Sequence, residues 1–353
     1  MSVLTRDALD RLSEAGVRVQ HDLPLAGLTT LRLGGPAPTV LRCPDTDSVV
    51  AAVRACDEAG EPALVLGGGS NLLVADAGVD ATVVHVVSAG VELGPDSVRA
   101  DAGVDWDALV AETVRAGLGG LECLSGIPGS TGATPVQNVG AYGVEVADLL
   151  AGVQLLDRST GVVRWVDPAE LGLGYRTSAL KHTDAAVVLT VRFALSPDGL
   201  SRPVTYTELG SALGVDRGTR VAVADVRAAV LGLRRGKAML LDADDHDSWS
   251  AGSFFTNPVT RQVPAGYHGP QYPAVGGTKL SAGWLIEHAG FHRGHPGPDA
   301  PARLSTRHTL ALTNRGAASS HDVLTLAREV RDGVLAAFGV RLEPEPVLVG
   351  CDL

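Results

Sequence analysis

The sequence predicts an α+β fold with two or three domains. The chain has 353 residues, which is more than a single hydrophobic core usually organises. Apolar runs with the length of a strand alternate with segments in which apolar residues recur at helical spacing. The 43 glycines and 20 prolines separate these runs at short intervals instead of forming one linker, so many strands and turns are expected.

Elements of both kinds are predicted along the first two hundred residues. Apolar residues recur at helical spacing over 46–59 and 106–117, which predicts a helix in each segment. Residues 62–76 read as an apolar strand, a glycine loop and a second strand, and 81–87 follows as another strand. Residues 149–195 contain apolar runs separated by turn residues and are expected to be mainly strands.

The second part of the chain is expected to begin near the turn-forming sequence Ser196–Gly199. Helices are predicted at 223–234 and at 320–339, the latter opened by serine and aspartate and closed by glycine. The tail at 340–350 reads as a short strand interrupted by prolines. It is therefore expected to be a sheet edge or a return of the chain.

Composition and charge exclude several classes of protein. Acidic residues outnumber basic ones by 40 to 29, and the formal charge of −11 would repel a nucleic acid. No apolar stretch approaches the roughly 18 residues that a membrane-spanning helix requires. The four cysteines show no CxxC spacing, and the start of the chain lacks the basic-then-apolar pattern of a signal peptide. We therefore expect a protein of the reducing cytoplasm.

Two glycine-rich loops are candidate phosphate-binding sites. In Gly67–Asn71, consecutive glycines follow a strand and would let backbone N–H groups approach a phosphate. This loop lacks the helix of a Rossmann fingerprint and the GK[ST] of a P-loop, so a plain hairpin is an equally good interpretation. The second loop, Ser125–Gly143, contains five glycines and two prolines. A long loop of this kind inside a domain is usually functional, although a structural crossover is the alternative.

Two clusters that could suggest a metal site are interpreted as solvated loops. The acidic stretch Asp242–Asp247 lacks the glycine and the final glutamate of a calcium loop. His292 and His295 lack a partner pair at zinc spacing. No metal is expected.

Five separated motifs resemble the UDP-N-acetylenolpyruvoylglucosamine reductase (MurB) family of peptidoglycan synthesis. They are GGGSNLLV from Gly67, the loop GIPGSTGATPVQNVGAYG from Gly126, YRTSALK at 175–181, AGSFFTNP at 251–258 and LEPEP at 342–346. The resemblance is collinear from about Leu23 to Gly350. The sequence around Tyr206 is similar to a tyrosine-bearing segment that some family members retain.

The resemblance implies a two-subdomain FAD-binding module of the vanillyl-alcohol-oxidase (PCMH) type, followed by a smaller α+β substrate domain. We expect the FAD module at 1–198, with its subdomains split near residue 88, and the substrate domain at 199–340. A tail at 341–353 would return to the flavin domain, and Thr29–Gly35 would pack beneath the glycine loops.

The same resemblance implies that both glycine loops wrap a bound FAD. Neither loop contains a histidine or cysteine that could link the flavin, so the FAD is expected to be non-covalent. The implied FAD contacts are Gly67, Gly68, Gly69, Ser70, Asn71, Gly126, Ile127, Pro128, Gly129, Ser130, Gly132, Ala133, Asn138, Gly140 and Ala141.

The activity implied by the resemblance is the reduction of UDP-N-acetylglucosamine enolpyruvate to UDP-N-acetylmuramate with NADPH. This reduction needs a hydride at one alkene carbon and a proton at the other. Ser253 would donate the proton, Arg176 would clamp the substrate carboxylate, and Glu345 would act on that carboxylate as a protonated acid. The implied substrate contacts are Tyr142, Tyr175, Tyr206, Lys237 and Asn257.

Three features of this sequence depart from the family pattern. Gly68 stands where the family often has a bulkier residue, which should not alter a contact made by the backbone. The family usually continues LEPEV where this chain has Pro346, so the backbone after Glu345 is an open question. The acidic stretch between Lys237 and Ser253 leaves the assignment of that lysine open.

Two other functions stay open as alternatives. One is another flavoprotein oxidoreductase on the same fold, and the other is a non-catalytic nucleotide-binding protein. The expected partners are the UDP-sugar and NADPH, without nucleic acid or membrane insertion, and the chain is expected to be a monomer.

Overall fold

The computed structural model describes residues 4–353, which divide into two compact units. The first unit contains the residues up to Leu23 with Ala37–Gly68 and Asp80–Arg235, and the second contains Pro24–Pro36, Gly69–Val79 and Gly236–Leu353. Each unit has its own buried apolar core. Residues 199–235 thus pack with the first unit. The division into an FAD module that ends at 198 and a substrate domain that ends at 340 stays a prediction.

The described residues form seven α-helices. They are α1 (Arg6–Glu14), α2 (Thr46–Ala59), α3 (Trp106–Arg115), α4 (Thr207–Leu213), α5 (Val223–Gly236), α6 (Ala282–His288) and α7 (Ser320–Phe338). The four helices predicted from periodicity correspond to α2, α3, α5 and α7, with ends that differ by at most two residues. None of the helices within residues 4–353 is long and apolar enough to span a bilayer.

Side-chain caps fix the ends of the best-predicted helices. At α2 the Asp45 carboxylate accepts the Ser48 amide, and Gly60 ends the helix at a left-handed φ of 64°. At α7 the Ser319 hydroxyl accepts the Asp322 amide, and Gly339 ends the helix at φ 66°. These caps explain why local sequence was sufficient to place both helices.

Eighteen short strands are present in the described part of the chain. They are β1 (Arg18–Pro24), β2 (Pro36–Cys43), β3 (Ala63–Leu66), β4 (Leu72–Val74), β5 (Thr82–Val86), β6 (Val91–Leu93), β7 (Ser97–Asp101), β8 (Gly140–Ala141), β9 (Val144–Glu145), β10 (Leu150–Asp157), β11 (Val163–Val166), β12 (Ala186–Ala194), β13 (Val259–Thr260), β14 (Gln271–Ala274), β15 (Gly277–Leu280), β16 (Ala302–Leu304), β17 (Leu312–Asn314) and β18 (Val347–Val349).

The first unit is built on two sheets. One has the strand order β1-β2-β5-β3, in which β5 runs parallel to both β2 and β3. The other has the order β11-β10-β12-β7-β6 and is antiparallel throughout. The core of this unit includes Trp106 and Phe193, whose rings meet edge to face with centroids 5.7 Å apart.

The second unit holds smaller sheets and the end of the chain. The three-stranded sheet has the order β13-β15-β14, and β16 pairs with β17. The tail strand β18 runs parallel to β4, with Leu348 opposite Leu73. The hairpin interpretation of Gly67–Asn71 is therefore wrong, because the strands on either side of this loop, β3 and β4, belong to different sheets.

Candidate active site

The long loop that starts at Gly126 is held by the first turn of α3. The backbone amide of Trp106 donates to the Gly129 carbonyl at 3.0 Å, and the indole Nε1 of Trp106 donates to the Leu124 carbonyl at 3.0 Å. The carboxylate of Asp107 accepts the Gly126 amide at 2.6 Å. Apart from one 3-10 turn at Thr131–Ala133 and the two-residue strand β8, the loop up to Gly143 has no regular structure.

In the first unit, the start of the short glycine loop lies directly against the long one. A Cβ atom on Gly67 would lie 2.0 Å from the Ser130 Oγ, and one on Gly68 would lie 2.8 Å from the Gly129 Cα. The Gly68 amide donates to the Ser130 Oγ at 3.4 Å. A side chain at Gly67 would collide with the Ser130 side chain, and one at Gly68 would collide with the backbone of the long loop, so glycine is needed at both positions.

Two amides of the long loop point to an anionic ligand. Within residues 4–353, the backbone amides of Gly129 and Ser130 donate to no protein acceptor, although Ser130 is only 6% exposed. An amide of a buried residue such as Ser130 is costly without an acceptor, and successive amides with no protein acceptor can form a concave site for a phosphate. Gly129 has a φ of 122°, which side-chain-bearing residues rarely adopt. The loop therefore fits the pyrophosphate of a dinucleotide such as FAD.

Asn138 organises the second half of the long loop. Its side-chain oxygen accepts the Ala147 amide at 2.9 Å, and its Nδ2 donates to the Glu145 carboxylate at 2.8 Å and to the Gly174 carbonyl at 3.0 Å. The residue is 1% exposed and has a left-handed φ of 47°. Its side-chain hydrogen bonds are thus made within the protein, and a role toward FAD would act through the loop conformation.

Arg176 is attached to the same loop. Its guanidinium donates to the Gly140 carbonyl at 2.6 Å and to the Asn138 carbonyl at 3.5 Å, and lies 3.9 Å from the Glu145 carboxylate. Its backbone φ of 53° is a left-handed conformation that a non-glycine residue adopts at an energetic cost. The predicted carboxylate clamp is therefore oriented by loop carbonyls.

The three tyrosines predicted to bind substrate all lie in the first unit. The rings of Tyr142 and Tyr206 meet edge to face with centroids 5.6 Å apart. Burial raises the pKa of Tyr142 to about 12, so its phenol stays protonated and can donate a hydrogen bond. Tyr206 is 44% exposed, and Tyr175, which is 37% exposed, has the Arg176 guanidinium 5.2 Å from its ring centre.

In the second unit, Ser253 lies between a glycine in a left-handed conformation and a buried phenylalanine. Gly252 precedes it at a left-handed φ of 72°, with no atom within 4 Å of the position where a Cβ would be. Phe254 follows it, is 1% exposed, and packs edge to face on Phe255 at 5.2 Å. The Phe254 amide donates to the Leu310 carbonyl at 2.7 Å. The buried aromatic pair thus fixes the backbone that carries the serine.

Glu345 lies next to this segment. Its amide donates to the Phe254 carbonyl at 2.8 Å, and its carbonyl accepts the Asn71 Nδ2 at 3.2 Å. The Val347 amide donates to the Asn71 carbonyl at 2.9 Å. Pro346 falls between these two amides, at a position where no N–H is used, so it is compatible with this backbone.

The second unit brings three of the five sequence motifs together with the segment Thr29–Gly35. The Thr30 amide donates to the Gly69 carbonyl at 3.2 Å, and its hydroxyl donates to the Ser250 carbonyl at 2.8 Å and to the Ser70 carbonyl at 3.4 Å. With the bonds of Asn71 and Phe254 to Glu345, these contacts connect the segments around Thr30, Gly69, Ser253 and Glu345.

Lys237 and Asn257, the remaining predicted substrate residues, also lie in the second unit. Lys237 directly follows the end of α5 and is partly buried. The Asn257 Oδ1 accepts the Ala282 amide at 2.9 Å, at the start of α6. Part of the Asn257 side chain therefore supports the fold.

The acidic stretch Asp242–Asp247 is not simply a solvated loop, which corrects the prediction. The Asp247 carboxylate is 4% exposed and pairs with the Arg315 guanidinium at 2.5 Å. It also accepts the Thr306 amide at 3.2 Å and the Thr306 hydroxyl. No group of three or more potential metal ligands is present among residues 4–353.

Sequence reasoning missed two acidic residues whose carboxylates accept backbone amides of distant segments. Asp107 accepts the Gly126 amide, and Asp76 accepts the Ser320 and His321 amides at the start of α7. Asp107 could be recognised only as an acidic residue in the first turn of a helix. Neither partner is close in the chain, so no local signal was available.

The comparisons with known proteins agree with this arrangement. A family model described as FAD binding domain matches residues 37–167, and one described as UDP-N-acetylenolpyruvoylglucosamine reductase, C-terminal domain, matches residues 244–349. The predicted α+β fold with an FAD-binding module and a C-terminal domain is confirmed.

Relatives are similar over nearly the whole chain. Proteins named UDP-N-acetylenolpyruvoylglucosamine reductase from Nocardia farcinica and Saccharopolyspora erythraea are 63% and 60% identical, covering 97% and 93% of this chain and 92% and 95% of their own. The crystal structure of UDP-N-acetylenolpyruvylglucosamine reductase (MurB) from Thermus caldophilus is 29% identical with a TM-score of 0.67, covering 94% of this chain and 99% of that one. The chain therefore belongs to the UDP-N-acetylenolpyruvoylglucosamine reductase family.

Proposed function

We propose that this chain catalyses the FAD-dependent reduction of UDP-N-acetylglucosamine enolpyruvate to UDP-N-acetylmuramate, with NADPH, in peptidoglycan precursor synthesis. The observation that carries the proposal is the full-length family relationship together with the presence of Arg176, Ser253 and Glu345 in the matching motifs. We further propose that the protein acts in the cytoplasm as a monomer.

The residues present fit an FAD. The amides of Gly129 and Ser130 are available for the pyrophosphate. Gly126 and Gly129, whose φ values of 71° and 122° favour glycine, carry no side chain that would obstruct it. The bound flavin supplies the hydride that the enol ether requires. The protein has to bind both substrates, position the alkene and deliver a proton.

Ser253 is assigned the proton transfer, from its Oγ to the carbon next to the substrate carboxylate. A serine hydroxyl is a weak acid, but a carbanion or enol is basic enough to accept its proton when the geometry is fixed. The buried Phe254 and Phe255 supply that fixed geometry for the backbone of the serine. Deleting the hydroxyl should therefore affect proton delivery and little else.

Arg176 is assigned to the substrate carboxylate, which takes on negative charge as the hydride arrives. A guanidinium can bind a carboxylate through two parallel hydrogen bonds. The bonds to the Gly140 and Asn138 carbonyls orient the guanidinium before substrate binds, which reduces the entropic cost of forming the clamp.

Glu345 is assigned a hydrogen bond to the same carboxylate from a protonated carboxyl group. Its backbone is fixed on one side by Phe254 and on the other by Asn71. The backbone that carries the carboxyl group is therefore joined to the Ser253 segment, and we propose that both residues act on the same part of the substrate.

The UDP-sugar is assigned to Tyr142, Tyr175, Tyr206, Lys237 and Asn257. The protonated phenol of Tyr142 is a hydrogen-bond donor, and a lysine supplies a point charge for a pyrophosphate. The exposed rings of Tyr175 and Tyr206 offer apolar faces for the sugar or the uracil.

One anaerobic absorption experiment tests this function. The purified protein should be yellow, lose colour when NADPH is added, and recover it only when the enolpyruvyl UDP-sugar is added. Recovery with an unrelated sugar or lactone would indicate another flavoprotein oxidoreductase. A colourless protein that still binds nucleotides would indicate a non-catalytic binding protein, and either outcome would refute the proposal.

A further inference from the structure

Asp107 joins two elements of the first unit that lie far apart in sequence. Its Oδ1 accepts the Gly126 amide at 2.6 Å and the Arg227 Nη1 at 2.6 Å, and its Oδ2 accepts the Arg227 Nη2 at 2.8 Å. Arg227 belongs to α5, and Gly126 opens the long glycine loop. One carboxylate thus makes a two-point ion pair with a helix and a charged hydrogen bond with the loop.

The surroundings of Asp107 favour its ionised form. Partial burial acts to raise its pKa, but the hydrogen bonds from Arg227 and Gly126 and the charges of Arg227 and Arg234 outweigh burial and lower it. The side chains of Asp107 and Arg227 are 33% and 17% exposed. The carboxylate is therefore a charged acceptor for the loop amide at neutral pH.

The position of this bond within the loop gives it a functional consequence. Gly126 is buried and has a left-handed φ of 71°. Three and four residues later come the amides of Gly129 and Ser130, which have no protein acceptor among residues 4–353. This stretch is also held by neutral donors: the Trp106 amide donates to Gly129, the Trp106 indole donates to the preceding Leu124, and the Gly68 amide donates to the Ser130 Oγ. Asp107 is the charged partner among these contacts.

We propose that Asp107, held by Arg227, is a positioning residue that keeps Gly126–Ser130 in the conformation that binds the FAD pyrophosphate. The inference rests on the proposed function, since it assumes that this loop binds FAD. Asp107 does not contact the cofactor in this proposal; it sets the direction of the loop amides that do. The ion pair also connects the loop to α5, which ends directly before Lys237.

The test compares FAD binding to the apoprotein with the stability of the apoprotein. FAD is removed, and its dissociation constant is measured by fluorescence titration for the wild type, Asp107→Ala and Asp107→Asn. A hydrogen bond to a charged group predicts an increase in Kd of about 10- to 100-fold for Asp107→Ala. Asp107→Asn keeps the size and one acceptor oxygen, so its increase should be smaller.

A second ion pair of the same unit provides the matched control. Asp57 pairs with Arg158 at 2.5 Å, with side chains 27% and 13% exposed, and among residues 4–353 its carboxylate contacts neither glycine loop. Asp57→Ala should lower the Tm of the apoprotein about as much as Asp107→Ala but leave the Kd for FAD within about twofold, because only the Asp107 pair touches the loop.

The outcomes separate this inference from the proposed function. If wild-type apoprotein binds no FAD, the proposed function fails. If wild-type binds FAD and Asp107→Ala binds it equally well, or if Asp57→Ala weakens FAD as much, Asp107 is only structural and the inference is overturned. If Asp107→Ala does not fold, Asp107→Asn decides the question by the same comparison.

Discussion

Replacing Ser253 with alanine should separate the two half-reactions. Among residues 4–353 the Ser253 hydroxyl makes no hydrogen bond to the protein, and the fold of its segment depends on Phe254 and Phe255. The free energy of unfolding should therefore change by less than about 0.5 kcal/mol, as for a substitution away from buried contacts. For a chain of this size, the Tm should shift by no more than about 2 °C.

The loss of the proton donor should appear only where a proton is delivered. Stopped-flow absorbance measures the NADPH half-reaction and the enolpyruvyl half-reaction separately. The first should keep its wild-type rate, and the second should slow by about 10²–10⁴-fold, the usual contribution of a positioned general acid. Ser253→Cys should recover part of the rate, because a thiol can donate a proton from nearly the same place.

Thr256→Val provides a matched control, since it removes a hydroxyl from the same segment at the cost of one long hydrogen bond, 3.4 Å to the Glu343 carbonyl. Both half-reactions of this variant should stay within about twofold of wild type. If Ser253→Ala slows both half-reactions equally, or neither, the serine has a packing or positioning role and the assignment of the proton donor is wrong.

Three further outcomes are expected. Acid precipitation should release all the flavin into solution, and colour in the precipitate would indicate a covalent link. Gly129→Val should abolish FAD retention because valine resists a φ of 122°. Gly199→Val is the control: Gly199 also has a positive φ, 71°, and no atom lies within 4 Å of the position where a Cβ would be, so this variant should keep normal FAD stoichiometry. Asp76→Ala should destabilise the protein by about 1–2 kcal/mol, because two amides at the start of α7 lose their acceptor. The Tm should fall by about 2–8 °C, and an unchanged Tm would contradict this prediction.

The sequence alone determined the features that depend on neighbouring residues. The helices α2 and α7 were predictable because their caps, Asp45 with Gly60 and Ser319 with Gly339, lie directly beside them. The glycine loops were predictable because several glycines in one short segment disfavour regular structure. The family resemblance extended this to an FAD-binding module and a reductase, both of which the comparisons confirm.

Tertiary structure decided which distant segments meet. Local periodicity cannot show that β4 pairs with β18 and not with β3, the strand before it in the chain. Nor can it show that the Glu345 amide donates a hydrogen bond to Phe254, about ninety residues earlier. For the same reason, the sequence could not predict the buried ion pair of Asp247 with Arg315 or the hydrogen bond from the Gly126 amide to Asp107. From sequence alone, a charged residue is predicted to be exposed to solvent. It can be buried only when folding brings an opposite charge or a backbone donor close enough to offset the cost of removing it from water.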